Sequence, residues 1–329
     1  MKIYHHIAEL AALPGPVSLA IGVFDGVHLG HQAVIAEALR TSGENAVVVT
    51  FDPHPAQLLR PEQSPALLTS TRHKLSLLAQ LGVANTLIIP FDSAFAKTLP
   101  ADFITDFTHA CKLRQICVGQ DWAFGHGRKG NLTLLQLLGH ALRFKAVGLP
   151  AVAIEGQIVS STTIRAAIQA GDLATAERLL GRPFSIYGTV SEGRKMGRQL
   201  GFPTANLTPE REQLPPDGVY AVRAQIPEIS AEWHPGVANI GIRPTVCDAT
   251  SERVLEVHLF DFDADIYQHD IEVEFHHFLR PEIRFPDIEA LRTQITADAA
   301  QARALHLKSQ FALRPQIVDC ETTNRAVIT

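Results

Sequence analysis

The sequence predicts a fold of two parts, an α/β domain followed by an all-β domain. In the first half, short runs of β-branched residues alternate with stretches that have the 3.6-residue period of a helix. From Pro183 onward the pattern changes to short alternating runs that are broken by glycine and proline. The length of 329 residues is enough for two cores of ordinary size. We therefore expect domains over residues 1–182 and 183–306, followed by a tail over residues 307–329.

The first domain begins with a strand, a turn and a helix. The strand is predicted over Val17–Phe24, and the helix after Gly30 has one apolar face formed by Val34, Ile35, Ala38 and Leu39. Further strands are predicted over Ala46–Phe51, Thr86–Pro90, Gln115–Gly119 and Phe144–Ile154. The intervening helices are predicted near Arg72–Leu81, Ala101–Lys112 and Asn131–Leu142. This alternation indicates a parallel, doubly wound sheet.

Two short helices are expected to close the first domain. They are predicted over Thr162–Ala170 and Leu173–Leu180. Gly171 and Gly181 follow them directly, and glycine suits the left-handed conformation that often ends a helix.

The second domain is predicted to be an antiparallel barrel with a terminal helix. Its strands are expected over Ile186–Ser191, Gly218–Gln225, Gly236–Gly241, Arg253–Asp261 and Ile271–Leu279. The helix is expected from about Asp287, which can cap it, to Leu305. The tail beyond it has no clear period.

Composition narrows the class of protein. A hydrophobic fraction of 46% and a charged fraction of 19% are typical of a globular chain, and no apolar stretch approaches the length of a membrane span. The formal net charge of −5 argues against a general nucleic-acid binder. The four cysteines include no CxxC pair, so neither a zinc site nor a disulfide framework is expected. We expect a cytoplasmic location, with no nucleic-acid or membrane partner.

The segment GVFDGVHLGH, residues 22–31, is the first candidate site. It lies where the first strand turns into the first helix, the edge of a parallel sheet at which ligands bind. His28 and His31 can share one face beside the unpaired N–H groups of the helix start, which favours an anion. Glycines at 22, 26 and 30 leave room for a triphosphate to approach the backbone. A bare His-x-x-His pair is more often a helix cap, so the whole string carries the prediction.

Two later segments of the first domain offer phosphate ligands. GQDWAFGHGRKG, residues 119–130, contains Asp121, and VSSTTIR, residues 159–165, places three hydroxyls and Arg165 at a helix start. Residues 125–130 also fit GxGxxG. A dinucleotide-binding dehydrogenase is nevertheless rejected, because these glycines do not directly follow a strand and no suitably spaced acidic residue comes after them.

The second domain carries its own candidate site. Residues 188–206, GTVSEGRKMGRQLGFPTAN, join a glycine- and cation-rich stretch to a Pro-Thr-Ala-Asn string. Thr204 and Asn206 offer the oxygen ligands that Mg²⁺ prefers. In the later segment LEVHLFDF, residues 255–262, strand alternation puts Glu256 and His258 on the face opposite Leu255 and Val257.

Taken together, these strings resemble the bifunctional riboflavin kinase/FMN adenylyltransferase family of prokaryotic type. The first-domain strings resemble the HxGH signature and its companions in FMN-adenylylating nucleotidyltransferases, and the second-domain strings resemble the riboflavin kinase signature, in the expected order over about residues 1–306. The resemblance implies a Rossmann-like nucleotidyltransferase domain and a kinase barrel. It also implies ATP and Mg²⁺ as cofactors, and riboflavin, FMN and FAD as substrates and products.

The resemblance also assigns residues. It implies that His28, His31 and Glu256 are catalytic, Glu256 as the base that accepts the proton of the riboflavin hydroxyl. Adenylyltransferase ATP contacts would be Gly22, Phe24, Asp25, Gly26, His28, Gly30, His31, Asp121, Ser160, Ser161, Thr162 and Arg165. Kinase contacts with ATP or flavin would be Gly193, Lys195, Gly201, Pro203, Thr204, Asn206 and Arg280, with Thr204 and Asn206 as the metal ligands.

Three positions depart from the family pattern. Trp122 stands where phenylalanine is usual, Thr163 where arginine is common, and Tyr267-Gln-His where Tyr-Gly is usual. The replacement at Thr163 removes one cation that the resemblance would place near the phosphates.

Two alternatives remain open at the sequence level. One is a single-activity member in which one of the two domains is degenerate, against which both intact residue sets argue. The other is a flavin-binding regulator, which would usually add a DNA-binding helix-turn-helix that the sequence does not show. The oligomeric state is also open, a homo-oligomer included.

Overall fold

The computed structural model describes residues 1–191, 201–209, 211–243 and 252–309. It consists of a parallel six-stranded sheet with flanking helices, a six-stranded antiparallel sheet and a terminal helix. The predicted fold class, α/β followed by an all-β barrel, is confirmed.

The parallel sheet is built from the first half of the chain. Its strands are β1 (Lys2–Tyr4), β2 (Val17–Ile21), β3 (Ala46–Asp52), β4 (Asn85–Pro90), β5 (Leu113–Gly119) and β6 (Lys145–Leu149). Its helices are α1 (Leu29–Ser42), α2 (Pro55–Leu59), α3 (Thr71–Gln80), α4 (Pro100–Ala110) and α5 (Leu132–Leu142). The spatial order is β1-β4-β3-β2-β5-β6, so the order reverses beside β2. Ligands of such sheets bind at this reversal, outside the carboxyl ends of the strands.

Alternation along β2 explains why the sheet is covered on both faces. Leu19 and Ile21 lie in one apolar cluster with Phe103 and Phe107 of α4, while Ala20 lies in a second cluster that includes α1 and α3. Side chains of a strand point alternately to opposite faces, so a strand buried on both faces is apolar throughout. The result is a three-layer domain with the β2–α1 turn at one open edge.

The antiparallel sheet closes into a barrel. The segment before it forms the hairpin β7 (Ala153–Ile154) and β8 (Gln157–Ile158) and the helices α6 (Ser161–Gln169) and α7 (Leu173–Leu180). The strands of the antiparallel sheet are β9 (Phe184–Thr189), β10 (Ala205–Leu207), β11 (Gly218–Gln225), β12 (His234–Arg243), β13 (Glu252–Leu259) and β14 (Asp270–Arg280). The terminal helix is α8 (Ile288–Ser309). The order is β10-β13-β12-β11-β14-β9, and a bridge between Ser191 and Asn206 joins the two edge strands. Helix α8 packs Ala299 and Ala302 on the outer face.

Helices α6 and α7 pack against the barrel. Ile164 and Leu179 belong to the same apolar cluster as Phe184, Ile186 and Tyr220 of the barrel interior. The helices that were expected to close the first domain therefore share a core with the second. The proposed boundary at residue 182 remains a prediction about independent folding.

Some elements differ from the sequence predictions. One strand was expected over Phe144–Ile154, but β6 ends at Leu149, before Pro150. A separate hairpin with two residues in each strand follows. Proline lacks the N–H that a continuing ladder needs. The three-residue strands β1 and β10 were missed because they are too short to show a period. Residues 310–329 of the tail lie outside the described residues. Across the four described ranges, no helix has the length and apolar content that crossing a membrane requires.

Candidate active sites

The turn between β2 and α1 has an unusual backbone path. Phe24, Gly26 and Val27 all have positive φ, at 53°, 85° and 43°. Positive φ is strained for residues with a Cβ, particularly β-branched ones, and such strain persists only where surrounding contacts hold it. Residues 22–28, called the β2–α1 loop below, are therefore fixed by their neighbours.

Asp25 is the central anchor of this loop. Its carboxylate is 3% exposed and accepts hydrogen bonds from the backbone N–H groups of Leu68 at 2.9 Å and Thr69 at 3.1 Å. The other carboxylate oxygen accepts from the Arg165 guanidinium. The Ser161 hydroxyl donates to the Asp25 carbonyl at 3.0 Å. Asp25 thus ties the loop to two remote segments.

Two loop glycines make room for the protein's own side chains. A Cβ on Gly26 would lie 2.7 Å from the Leu68 side chain, and one on Gly30 would lie 3.2 Å from the His28 ring. The sequence prediction explained these glycines by close approach of a triphosphate. The structure gives a different reason for glycine at these two positions, because the Leu68 side chain and the His28 ring already occupy the space that a Cβ would need.

His28 and His31 form a stacked pair at the start of α1. Their ring centroids are 3.5 Å apart with 17° between the planes, and the His31 N–H donates to His28 Nδ1 at 3.3 Å. Burial, followed by the charges of Arg182 and Arg165, lowers the pKa of His28 to about 4. Burial, and then the charge of His28, holds the pKa of His31 well below its ordinary value. Both imidazoles are therefore neutral near pH 7.

Helix α6 supplies the other predicted groups, in different roles. Arg165 Nε donates to the Ala66 carbonyl at 2.6 Å while its Nη2 binds Asp25, so the guanidinium links two loops. The Ser160 hydroxyl caps α6 by accepting the N–H three residues on, and Thr162 is exposed. The sequence assigned these groups to phosphate. In this structure Arg165 and Ser161 hold the β2–α1 loop, whereas Ser160 and Thr162 form no hydrogen bond with it in the described residues.

The loop after β5 lies beside the β2–α1 loop, because β5 is the neighbour of β2. Asp121 is exposed there. Trp122 stacks on Phe124 with ring centroids 4.2 Å apart and 11° between planes. The tryptophan that departs from the family pattern is therefore accommodated by aromatic stacking.

Two basic residues that the sequence did not single out contact the β2–α1 loop. Lys74 of α3 is 4% exposed, and its Nζ donates to the Val23 carbonyl at 2.8 Å and to Thr50 Oγ1 at 3.2 Å. Arg182 Nη2 donates to the Gly26 carbonyl at 2.9 Å. The sequence could have indicated that Lys74 is buried, since it lies three residues before a leucine on the apolar face of a predicted helix. It offered no such indication for Arg182.

The barrel brings together part of the predicted kinase site. Asn206 on β10 is in register with Glu256 on β13, and Glu256 is in register with Asn239 on β12. Asn206 is 4% exposed. Residues in register share a face, so these three lie on the outer face, opposite the interior that Leu255 fills.

His258 is a kinase-side residue to which the sequence analysis gave no role. It lies two residues beyond Glu256 on the same strand, and its Nδ1 donates to the Pro203 carbonyl at 2.8 Å. Its ring also meets Phe202 edge to face, with centroids 5.4 Å apart. Thr204 follows directly, so His258 fixes the segment that presents it. Gly201, at the start of this segment, has a positive φ of 86°.

The structure does not bring Arg280, a predicted kinase residue, to Glu256. Arg280 on β14 lies three strands from Glu256 in the sheet order, and its guanidinium binds Asp298 of α8 at 2.8 and 3.0 Å. Gly193 and Lys195 lie outside the described residues, so the structure gives them no position.

Comparisons with known proteins match both parts of the chain. The FAD synthetase family model matches residues 11–163, and the riboflavin kinase family model matches residues 180–306. A Pseudomonas fluorescens protein named bifunctional riboflavin kinase/FMN adenylyltransferase is 42% identical over 289 residues, 87% of this chain and 91% of its own length. The Escherichia coli K12 protein of the same name is 40% identical over 310 residues, 92% of this chain and 97% of its own.

One solved structure covers almost the whole fold. It is described as a macrolide-efflux protein from Streptococcus pneumoniae, with a TM-score of 0.77 and 29% identity over 92% of this chain and 99% of that chain. The two-part architecture therefore recurs in a known structure. With matches in both halves and relatives at about 40% identity over nearly the full length, this chain belongs to the bifunctional riboflavin kinase/FMN adenylyltransferase family.

Proposed function

We propose that this chain makes FAD from riboflavin in two steps that each consume ATP. The barrel would phosphorylate riboflavin to FMN, and the α/β domain would adenylylate FMN to FAD with release of pyrophosphate. The observation that carries the proposal is that one chain holds both residue sets, His28 and His31 at the sheet edge and Asn206 beside Glu256 on the barrel.

The adenylylation step needs little acid–base chemistry. The FMN phosphate is already an anion, and one of its oxygens would attack the α-phosphate of ATP as the bond to the pyrophosphate oxygen breaks. Catalysis then rests on positioning and on donors aimed at developing charge. Because His28 and His31 are neutral near pH 7, we assign them hydrogen bonds to phosphate oxygens rather than a positive charge.

The kinase step does need a base. The ribityl hydroxyl of riboflavin would attack the γ-phosphate of ATP, the bond to the bridging oxygen would break, and ADP would leave. Glu256 would accept the hydroxyl proton, a role typically worth about 10²–10⁴-fold in rate. The neighbouring oxygens of Thr204 and Asn206 fit Mg²⁺, which would neutralise phosphate charge when bound.

The predicted partners are the small molecules riboflavin, FMN and ATP. We place both steps in the cytoplasm, where ATP is supplied. With a formal charge of −5, the chain has no general electrostatic attraction to nucleic acid.

The test is incubation of the pure protein with riboflavin, ATP and Mg²⁺, followed by chromatography of the flavins over time. We expect FMN to appear first and FAD to follow. FMN alone would indicate a kinase with an inactive first domain, and riboflavin bound but unchanged would indicate a flavin-binding regulator. Either result would reject the two-step proposal.

A further inference from the structure

We infer that Lys74 and Arg182 are positioning residues for adenylyl transfer, which hold the β2–α1 loop by its carbonyl oxygens. The inference rests on the proposed FMN adenylylation. Neither residue is assigned a contact with substrate. Their effect would pass through the loop to His28 and to the first turn of α1.

The loop carbonyls are held by side chains from separate elements. Lys74 of α3 binds the Val23 carbonyl at 2.8 Å. Arg182, which follows α7, binds the Gly26 carbonyl at 2.9 Å and reaches the Val27 carbonyl at 3.4 Å. These bonds span 51 to 156 positions of sequence, so they tie the loop to the body of the protein.

A held carbonyl also fixes the next N–H group. The peptide unit is planar and trans, so the N–H of the following residue points opposite to the carbonyl. The Val27 carbonyl is held by Arg182 at 3.4 Å and by the Gln32 side chain of α1 at 2.9 Å, so together these residues set the direction of the His28 N–H. The N–H groups of the first helical turn, at residues 29 and 30, lack intrahelical acceptors and extend this set of donors. A phosphate would meet donors whose directions are already set.

The charge of Arg182 favours an anionic ligand. Among the described residues, the hydrogen bonds of Lys74 and Arg182 go to carbonyl and hydroxyl oxygens. Carboxylates act on both at longer range, Asp25 and Asp52 on Lys74 and Glu272 and Glu274 on Arg182. Burial lowers the pKa of Lys74, and its two carboxylates oppose that shift. Burial lowers the pKa of Arg182 only to about 10, so it stays charged near pH 7. Its Nε is buried without a hydrogen-bond partner in the described ranges. Positive charge beneath the loop adds to its preference for anions.

The decisive experiment compares Arg182→Met, Arg182→Lys and Lys74→Met in the full chain, with both reactions assayed on each protein. Methionine keeps the bulk of the side chain but donates nothing, whereas lysine can hold one of the two carbonyls. We expect FMN adenylylation to fall by about 10²-fold in Arg182→Met, since displacements near 1 Å can cost that much. Arg182→Lys should be intermediate, and Lys74→Met should lose at least about tenfold.

Two matched controls lie on the neighbouring elements. Arg178→Met changes a residue of α7 that binds Thr175 and is 49% exposed, and Arg72→Met changes a residue of α3 that binds Asp270 and is 51% exposed. Neither contacts the loop carbonyls, so both should adenylylate FMN within about twofold of the wild type. Riboflavin phosphorylation by every variant should stay near wild type, because that step uses the barrel.

The outcomes distinguish failure of the positioning role from failure of the proposed FMN adenylylation. If the wild type makes FAD while Arg182→Met and Arg182→Lys match Arg178→Met, the positioning role is wrong. Equal activity of Arg182→Met and Arg182→Lys, both reduced, would indicate packing rather than carbonyl binding and would also overturn it. Parallel loss of both reactions would show general unfolding and reject the specific role. Absence of FAD from the wild type would remove the proposed function and this inference together.

Discussion

At the residue scale, the stacked pair His28 and His31 shows how burial decides what a motif can do. A histidine-rich string at a helix start invites the interpretation of two cations facing a triphosphate. In the structure, the rings stack and bury each other, and basic neighbours disfavour protonation further. The local positive charge then comes from residues that the motif does not include.

The neutral state of His28 predicts a pH dependence of stability. In the folded chain its pKa is about 4, against 6.5 for an unperturbed histidine. Between these values the unfolded state binds more protons, so stability should fall as the pH drops from 6.5 towards 4. His28→Gln keeps a hydrogen-bond acceptor for the His31 N–H but cannot titrate. The wild type should therefore lose on the order of 2–3 kcal/mol more than the variant over this range.

The measurement is urea unfolding at several pH values. Trp122 and Trp233 are the two tryptophans of the chain, so a Trp233→Phe background leaves a fluorescence signal from the first domain alone. Curves for His28→Gln and its parent that run parallel from pH 6.5 to 4 would contradict the low pKa of His28.

Glu256 carries the second residue-scale prediction. Glu256→Gln preserves size and shape but removes proton acceptance, so riboflavin phosphorylation should fall by about 10²–10⁴-fold, in kcat more than in KM. Supplied FMN should still become FAD at the normal rate, because its phosphate attacks as an anion at the other site. Glu228→Gln is the matched control, since Glu228 is an exposed carboxylate of the same domain that binds His269. Normal phosphorylation by Glu256→Gln would show that another group is the base.

At the scale of elements, the sequence predicted long periodic segments well and short ones poorly. Both β11, Gly218–Gln225, and α7, Leu173–Leu180, have the predicted bounds, because their apolar patterns run uninterrupted between glycine or proline signals. β10 was missed, although it carries Asn206. Three residues cannot show alternation, and β10 is held by pairing with β13, which is remote in sequence.

The residues of the candidate sites also fall into a group that the sequence could locate and a group that it could not. Motif residues could be located because each motif is continuous in sequence. Lys74, Arg182 and His258 were not assigned roles, because their bonds join positions 51, 156 and 55 residues apart. Such partners depend on how elements pack, which no local pattern contains.

Arg165 joins α6 to the β2–α1 loop, and its planar fork supports a prediction at this scale. The guanidinium meets the Ala66 carbonyl and Asp25 together, which a lysine ammonium cannot do from one position. Arg165→Lys should therefore slow FMN adenylylation markedly while riboflavin phosphorylation continues. Adding Thr163→Arg should partly restore it by supplying the cation common in the family. Steady-state rates of FAD formation at varied ATP test this, and an unchanged rate in Arg165→Lys would reject it.

At the scale of the whole molecule, the two parts are joined by both apolar and polar contacts. Apolar side chains of α6 and α7 extend the barrel core. Beside them, His73 of α3, Ser185 of β9 and Glu272 of β14 form a buried polar cluster, with Ser185 Oγ donating to Glu272 at 2.8 Å. The three residues are 1%, 2% and 4% exposed. The boundary that the sequence suggested therefore runs through a packed interface.

The shared core leads to a prediction about fragments. A fragment of residues 183–309 should fold and convert riboflavin to FMN but not to FAD, because the barrel closes on itself and holds Asn206 and Glu256. It should nevertheless be less stable than a fragment of residues 161–309. The longer fragment keeps α6 and α7 over apolar residues such as Phe184 and Ile186, which the shorter one exposes to water. Each fully buried large apolar side chain contributes about 1.5–3 kcal/mol, so a difference of roughly 2–5 kcal/mol is expected.

Urea unfolding of the two fragments, followed by Trp233 fluorescence, measures that difference, and flavin chromatography measures the activity of each. Equal unfolding free energies would show that α6 and α7 add nothing to the barrel and belong energetically with the first domain. A folded 183–309 fragment that leaves riboflavin unchanged would instead show that the kinase site needs groups from before residue 183. If only the 161–309 fragment makes FMN, the kinase unit begins at α6, and the functional boundary follows the core rather than the change in sequence pattern at Pro183.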